Sequence, residues 1–284
     1  IRPSDFIGPS SVTLQLQHIV KNTSDACSDT NIRTGYIVTD KADGDRKMMF
    51  ISGNGKVYLI GTGMVPEFTG MVVDGGKYGK TILDGELILH DKDELNKKFI
   101  NLYAAFDIYF DAGKDCRAKE FADLTPNLTT KDTTTQYRLP IMSKLLKNIV
   151  FESVVSKQHP QPMQVNAKKF YGSSDSSIFD SCHTVLDKIN RGDVQYNTDG
   201  LIFTPASLGV GCDTSKDTPS NTKVTWDRSF KWKPPEFNTN DFLTRVDMTV
   251  GTRNKFVSGV STTSISQSME YRTVILHVGY DRNR

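Results

Sequence analysis

Apolar runs in this chain stop at strand length. Even Thr273 to Val278, among the longest, falls far short of the roughly 18 residues a membrane helix needs. What the chain offers instead is a series of short segments separated by turn residues. Tyr36-Ile37-Val38-Thr39, Lys47 to Ser52, Lys56 to Ile60, Thr81 to His90 and Phe99 to Phe110 read as strands. Leu201-Ile202-Phe203 and Ser229 to Lys233 join them after a Gly/Ser/Thr/Asp-rich loop from Ser207 to Thr222. Gly53-Asn54-Gly55 is a hairpin turn, since Asn and Gly tolerate positive φ. Helical spacing is rarer: it predicts helices over Val12 to Lys21, Met142 to Lys157 and Ser176 to Arg191. The fold class is therefore α+β, mostly antiparallel. No Gly-x-Gly-x-x-Gly follows a strand, which argues against a Rossmann fold.

A chain of 284 residues is one large domain or two ordinary ones. Pro234-Pro235 is the natural boundary, because paired prolines block both helix and central strand. The expected division is 1–235 and a small β module over 236–284. The start at Ile1 rather than Met suggests a fragment. Lys plus Arg number 35 and Asp plus Glu 33, so the net charge is only +2. A nucleic-acid coat would be far more basic, and contact with nucleic acid must be local. Cys27, Cys116, Cys182 and Cys212 form no Cys-x-x-Cys pair, which disfavours a zinc site and predicts free thiols in a reducing compartment. The triplets beginning at Asn22 and Asn127 fit a glycosylation pattern that arises often by chance.

Chemistry concentrates at strand ends. Lys41-Ala42-Asp43-Gly44-Asp45-Arg46 follows an apolar strand. It is either a solvated turn or a nucleophilic lysine whose amine is freed by burial and neighbouring positive charge. A calcium loop fails, because Thr39 and Lys41 fall where carboxylate ligands are required. Asp84-Gly85-Glu86 sits inside an apolar strand, so Glu86 is an interior acid bound to something polar or an edge residue facing water. Asp199 precedes Gly200-Leu201-Ile202-Phe203 in the same manner. Lys231 and Lys233 flank Trp232 and share one strand face, either solvated or functional. Together these parts could attack a nucleotide α-phosphate, with acids holding a metal and lysines neutralising phosphoryl charge.

The ordered set resembles the covalent lysyl nucleotidyltransferases: DNA ligases, RNA ligases and mRNA capping guanylyltransferases. Lys41-Ala42-Asp43-Gly44 with Arg46, Asp84-Gly85-Glu86, Phe106-Asp107, Asp199-Gly200 and Lys231-Trp232-Lys233-Pro234 match their motifs in order over about 200 residues. Asp-Gly-Leu-Ile-Phe-Thr-Pro, Lys-Trp-Lys-Pro and the Lys168-Lys169-Phe170-Tyr171 segment look most like capping enzymes, and the flanking sequence looks like those of large cytoplasmic DNA viruses. The resemblance implies an ATP-grasp-like nucleotidyltransferase domain followed by an OB-fold module. Asp241-Phe242-Leu243 is reminiscent of that module's first strand. The family's closing Arg-x-Asp-Lys segment is not found, so the module is either cut short or divergent.

The same resemblance implies roles. Lys41 attacks the α-phosphate of GTP, forming lysyl-N-GMP and pyrophosphate, and GMP then passes to a 5′-diphosphate RNA end. Lys231 and Lys233 contact the α-phosphate and favour a neutral Lys41 amine; Arg46 and Glu86 hold the ribose. Asp199, with Glu86, organises Mg²⁺ or Mn²⁺. Phe106 and Ile202 sandwich the base, or else are ordinary core, and Lys168 reaches the guanine. Asp43 and Gly44 belong to the nucleophile motif's nucleotide contacts, and Asp107 is supporting or structural. Implied partners are GTP, RNA and adjoining triphosphatase and methyltransferase domains or subunits, with no membrane. The implied location is host cytoplasm or virion for a viral enzyme and nucleus for a cellular one. An ATP-dependent RNA or DNA ligase of the same fold, or an inactive nucleotide-binding scaffold, stay open as alternatives.

Overall fold

The computed structural model describes residues 2–21, 30–93, 95–125, 136–155, 162–237, 243–255 and 267–277. The Asn22 and Asn127 triplets, Cys27 and Asp241-Phe242 lie outside them. The chain divides into two compact units, Ile1–Glu236 and Phe237–Arg284.

The first unit contains two sheets. One has the order β1-β12-β11-β2, from β1 (Ser10–Thr13), β2 (Tyr36–Ala42), β11 (Thr198–Pro205) and β12 (Thr225–Trp232). The other runs β10-β7-β6-β3-β4-β5-β9. Its strands are β3 (Asp45–Ile51), β4 (Lys56–Ile60), β5 (Pro66–Val72), β6 (Thr81–His90), β7 (Phe99–Asp111), β9 (Glu152–Ser153) and β10 (Gln164–Ala167), with β8 (Lys114–Asp115) pairing off β7. Only β1 with β12 and β10 with β7 are parallel among these pairings, so the expected α+β, mostly antiparallel class is the one observed.

Burial explains which strands read clearly. In β2, Tyr36 to Asp40 are all buried, because α3 (Ile178–Asn190) covers one face and Phe121 and Ala206 meet Ile37 on the other. A strand covered on both faces reads as a continuous apolar run. In β4, buried Val57 and Leu59 alternate with more open neighbours, as in a half-covered strand. The turn between β3 and β4 closes as expected, with Ser52 N donating to Lys56 O at 2.9 Å.

Helices α1 (Gly75–Tyr78), α2 (Arg138–Asn148) and α3 complete the described set. Ser177 caps α3 by accepting from Phe179 N, and Ile178 and Val185 face the first sheet. Helix α2 packs Ile141, Met142 and Leu145 into the core under the second sheet. Two helix expectations are corrected. Val12 to Lys21 holds β1 and a short 3-10 turn over Leu16–His18, because parallel pairing with β12 overrides the local spacing. The helix expected over Met142 to Lys157 starts earlier and stops at Ile149, whose extended backbone (ψ 136°) breaks it. Val154 and Val155, which had seemed to continue the apolar face, are 54% and 80% exposed.

The second unit, described by itself, is an antiparallel hairpin of β13 (Leu243–Lys255) and β14 (Gln267–His277), with irregular register between Val246 and Val250. These strands are longer than the short segments expected. Among the described residues, Cys116, Cys182 and Cys212 are free, and no helix is long and apolar enough to cross a membrane.

Candidate active site

Between Ala42 and Asp45 the chain leaves the first sheet and enters the second, through Asp43 and Gly44. That crossing sets Lys41 on one wall and Arg46 on the other wall of a cavity of about 320 Å³. From the first sheet Thr39, Asp40, Ile202 and Lys231 also line it; from the second come Asp84, Glu86, Phe106 and Asp107, with Lys168 just beyond β10. Antiparallel neighbours account for several of these meetings. Arg46 pairs with Glu86 across β3 and β6, and Ile202 lies opposite Lys231 across β11 and β12.

The charges form three bonded sets. In the first, Lys41 Nζ donates to Asp199 Oδ1 at 2.6 Å, and Lys233 Nζ stands 2.7 Å from Asp199 Oδ2. Burial works to raise the Asp199 carboxyl, but the hydrogen bonds from Lys233 and Lys41 outweigh it and hold the group below the usual carboxylate range. In the second, Arg46 grips Asp84 with two bonds, Nε to Oδ1 at 3.0 Å and an Nη to Oδ2 at 2.5 Å. Tyr109 donates to the same Asp84 at 2.6 Å, and Arg46 also donates to Pro9 O at 2.7 Å. Burial opposes the Arg46 charge and Asp84 more than offsets it. The Arg46 guanidinium carbon also lies 5.6 Å from the Phe106 ring centroid. In the third, Lys168 Nζ donates to the Asp40 carbonyl at 2.6 Å and its carboxylate at 2.8 Å, while Tyr196 donates to that carboxylate at 3.1 Å.

Of the charged groups lining the cavity outside these sets, Asp107 pairs with Arg138 and two have no such partner. Neither Glu86 nor Lys231 makes a side-chain hydrogen bond or ion pair with a described residue. Burial pushes the Glu86 carboxyl up to about 7, against the pull of Lys168 and Lys41. Glu86 is thus an interior acid facing the cavity.

Two glycines fix this geometry. Gly200 has φ +145°, and a Cβ there would lie 1.9 Å from the Trp232 carbonyl oxygen. Only glycine lets β11, at the bulge in its pairing with β2, pass this close to the end of β12 and seat Asp199 beside Lys233. Gly85 separates the two acids of β6 because the Tyr103 ring lies against it, 2.5 Å from where a Cβ would stand. The Tyr103 hydroxyl meanwhile lies 2.9 Å from Lys47 O and accepts from Met49 N.

Lys41, Arg46, Glu86, Phe106, Lys168, Ile202 and Lys231 are thus gathered on one cavity. Asp199 and Lys233 are not part of its wall and join it through Lys41. Asp43 and Gly44 do not line it: they border a separate depression with Leu87, Ile88 and His90, and Asp43 N donates to Asn197 O. Asp107 turns to fully buried Arg138, whose Nε donates to it at 2.8 Å. Asp40, Asp84, Tyr109 and Tyr196 escaped sequence reasoning as site residues. Asp84 carried a signal, since it shares a strand face with Glu86, two residues on. The tyrosines carried none. No cluster of three or more His, Cys, Asp or Glu side chains suited to a metal occurs among the described residues. Glu86 and Asp199 offer only scattered carboxylate oxygens, a set that fits Mg²⁺ or Mn²⁺ where a nucleotide's phosphates and water supply the other ligands.

Lys41 and Lys231 thus share one cavity with a ring and an aliphatic side chain, and Lys233 reaches Lys41 through Asp199, parts that a nucleotidyltransferase can use. A family model described as "mRNA capping enzyme, catalytic domain" matches residues 31–235, and the chain belongs to that family. A "Probable mRNA-capping enzyme" of Acanthamoeba polyphaga mimivirus is 26% identical over 87% of this chain and 22% of its own length. The "mRNA-capping enzyme" of Danio rerio is 26% identical over 75% of this chain and 31% of its own. The chain therefore spans less than a third of either relative. Among solved structures, the ligase domain of M. tuberculosis LigD is 9% identical, covering 89% of this chain and 66% of that chain at a TM-score of 0.44. The family assignment rests on the sequence match and not on that likeness.

Proposed function

We propose that this chain is a GTP:RNA guanylyltransferase domain. The observation that carries the reading is Lys41 held with Lys233 on Asp199 at the edge of a cavity where Lys231 stands without a partner among the described residues. A protonated, ion-paired lysine has no lone pair, so the Lys41–Asp199 bond must break and the ammonium pass one proton to solvent water before attack; a second leaves the nitrogen to water as the P–N bond forms. Its nitrogen then bonds to the α-phosphorus of GTP, and the α–β bridging P–O bond breaks with its electrons leaving on pyrophosphate. In the second step an oxygen of a 5′-diphosphate RNA end bonds to that phosphorus. The P–N bond breaks with its electrons on nitrogen, which takes a proton from solvent water, and Lys41 recovers its amine. Lys231 and Lys233 neutralise charge on the phosphoryl oxygens in both steps. Phe106 and Ile202 line the cavity and would stack the base, and Arg46 and Glu86, paired across β3 and β6, would hold the ribose.

Asp199 and Glu86 would hold Mg²⁺ or Mn²⁺, which would supply further charge neutralisation on the triphosphate. Asp43 and Gly44 act through the turn that carries Lys41, not by touching nucleotide. We read residues 236–284 as part of an OB-fold module, and the β13–β14 hairpin supports this. The same reading extends to adjoining triphosphatase and methyltransferase domains or subunits and to a viral cytoplasmic setting; that one relative is a viral "Probable mRNA-capping enzyme" supports only the viral part.

Incubation with labelled GTP or ATP and Mg²⁺ or Mn²⁺, followed by a denaturing gel, tests it. Label from GTP that disappears in Lys41→Ala is expected. Label from ATP alone would make the chain a ligase-like enzyme, and GTP binding without any adduct would make it a scaffold.

A further inference from the structure

Lys168 and Asp40 form a partition. Both line the 320 Å³ cavity, and both, with Tyr196, line a second cavity of about 470 Å³ behind it. The Lys168 side chain is 4% exposed. Two of its three N–H groups are consumed by Asp40, one on the main-chain carbonyl and one on the carboxylate. The Asp40 carboxylate is itself engaged: Oδ2 also accepts from Tyr196 at 3.1 Å, and the Thr39 hydroxyl, which donates to Lys169 O at 2.7 Å, lies 3.3 Å from Oδ1. What remains for the cavity is one N–H on an ammonium whose charge is already matched.

Such a group is poorly suited to phosphate, for which Lys41, Lys231 and Lys233 are available. It suits a neutral carbonyl. An ammonium donates and cannot accept, so it rejects an amino group in the same place. Resting on the guanylyltransferase reading, we propose that Asp40, backed by Tyr196, is the positioning residue that holds Lys168 as a donor-only ammonium and so selects a 6-oxopurine over a 6-aminopurine. Burial already holds the Lys168 ammonium below the usual lysine range and Asp40 opposes that pull; without Asp40 the neutral amine, which accepts as well as donates, is favoured further. Discrimination is then lost from both directions.

The test measures covalent labelling of the whole chain against nucleotide concentration for wild type, Asp40→Asn and Tyr196→Phe. The nucleotides are GTP, ITP, ATP and 2-aminopurine riboside triphosphate, which lacks the 6-oxo group. For Asp40→Asn, the half-saturating concentration should rise about tenfold or more with GTP and ITP. It should stay within about twofold for the 2-aminopurine nucleotide, and ATP should gain on GTP. Tyr196→Phe should shift the same nucleotides by less, and it carries the test should thermal melting show Asp40→Asn unfolded. An equal loss with every nucleotide, or no change with any, overturns the assignment while leaving the guanylyltransferase reading intact. Failure of the wild type to label with any nucleotide removes that reading and this inference with it.

Discussion

The Lys41–Asp199–Lys233 and Arg46–Asp84–Tyr109 sets use the same chemistry, a carboxylate shared by cations or donors, for opposite purposes. Asp84 is fully buried and receives bonds from fixed neighbours on its own sheet. Asp199 is 13% exposed, and its lysines are 23% and 31% exposed, on flexible stems. A bidentate arginine on a buried acid fixes a wall. Two lysines on a half-buried acid can let go, as the Lys41 amine must before it attacks phosphorus.

The contrast is open to breakage by substitution. Asp84→Ala leaves the Arg46 cation uncompensated and should cost about 3 kcal/mol in urea denaturation. A cost near zero would dissolve the distinction. Glu86→Gln probes the group that belongs to neither set. The folded protein binds the Glu86 proton more tightly than the unfolded chain, with a folded pKa of about 7 against 4.5. Its favourable contribution is therefore full below about pH 4.5 and is lost as pH rises through about 7. Glutamine has no such dependence, so the variant should gain roughly 1–3 kcal/mol on wild type between pH 5 and pH 8. Asp199→Asn should change stability least, by about 1 kcal/mol or less. Yet it should slow labelling by GTP roughly 100-fold. Equal stability losses at Asp84 and Asp199 would mean that both carboxylates are walls.

These assignments were unevenly legible. β2, β3, β4, β6 and β7 could be read because their patterns follow from burial of one or both faces. Lys41, Glu86, Asp199, Lys231 and Lys233 could be read because each interrupts or ends an apolar strand. β1 could not, since Val12, Leu14 and Ile19 pack against the first sheet's core in an order that also fits a helix. Its true partner lies more than 200 residues away. Tyr109 and Tyr196 stayed hidden for the same reason: a tyrosine is ordinary core until the distant acid it serves is known.

Gly200 touches no charge and offers no reactive atom. Yet the seat of Asp199, and through it both Lys41 and Lys233, depends on hydrogen standing where any other residue has carbon. In a saturation scan read by GTP labelling, Gly200 should tolerate substitution as poorly as Lys41 itself. Positions that do no chemistry can be as sequence-restricted as the nucleophile, and intolerance alone will not identify which residue meets the phosphate.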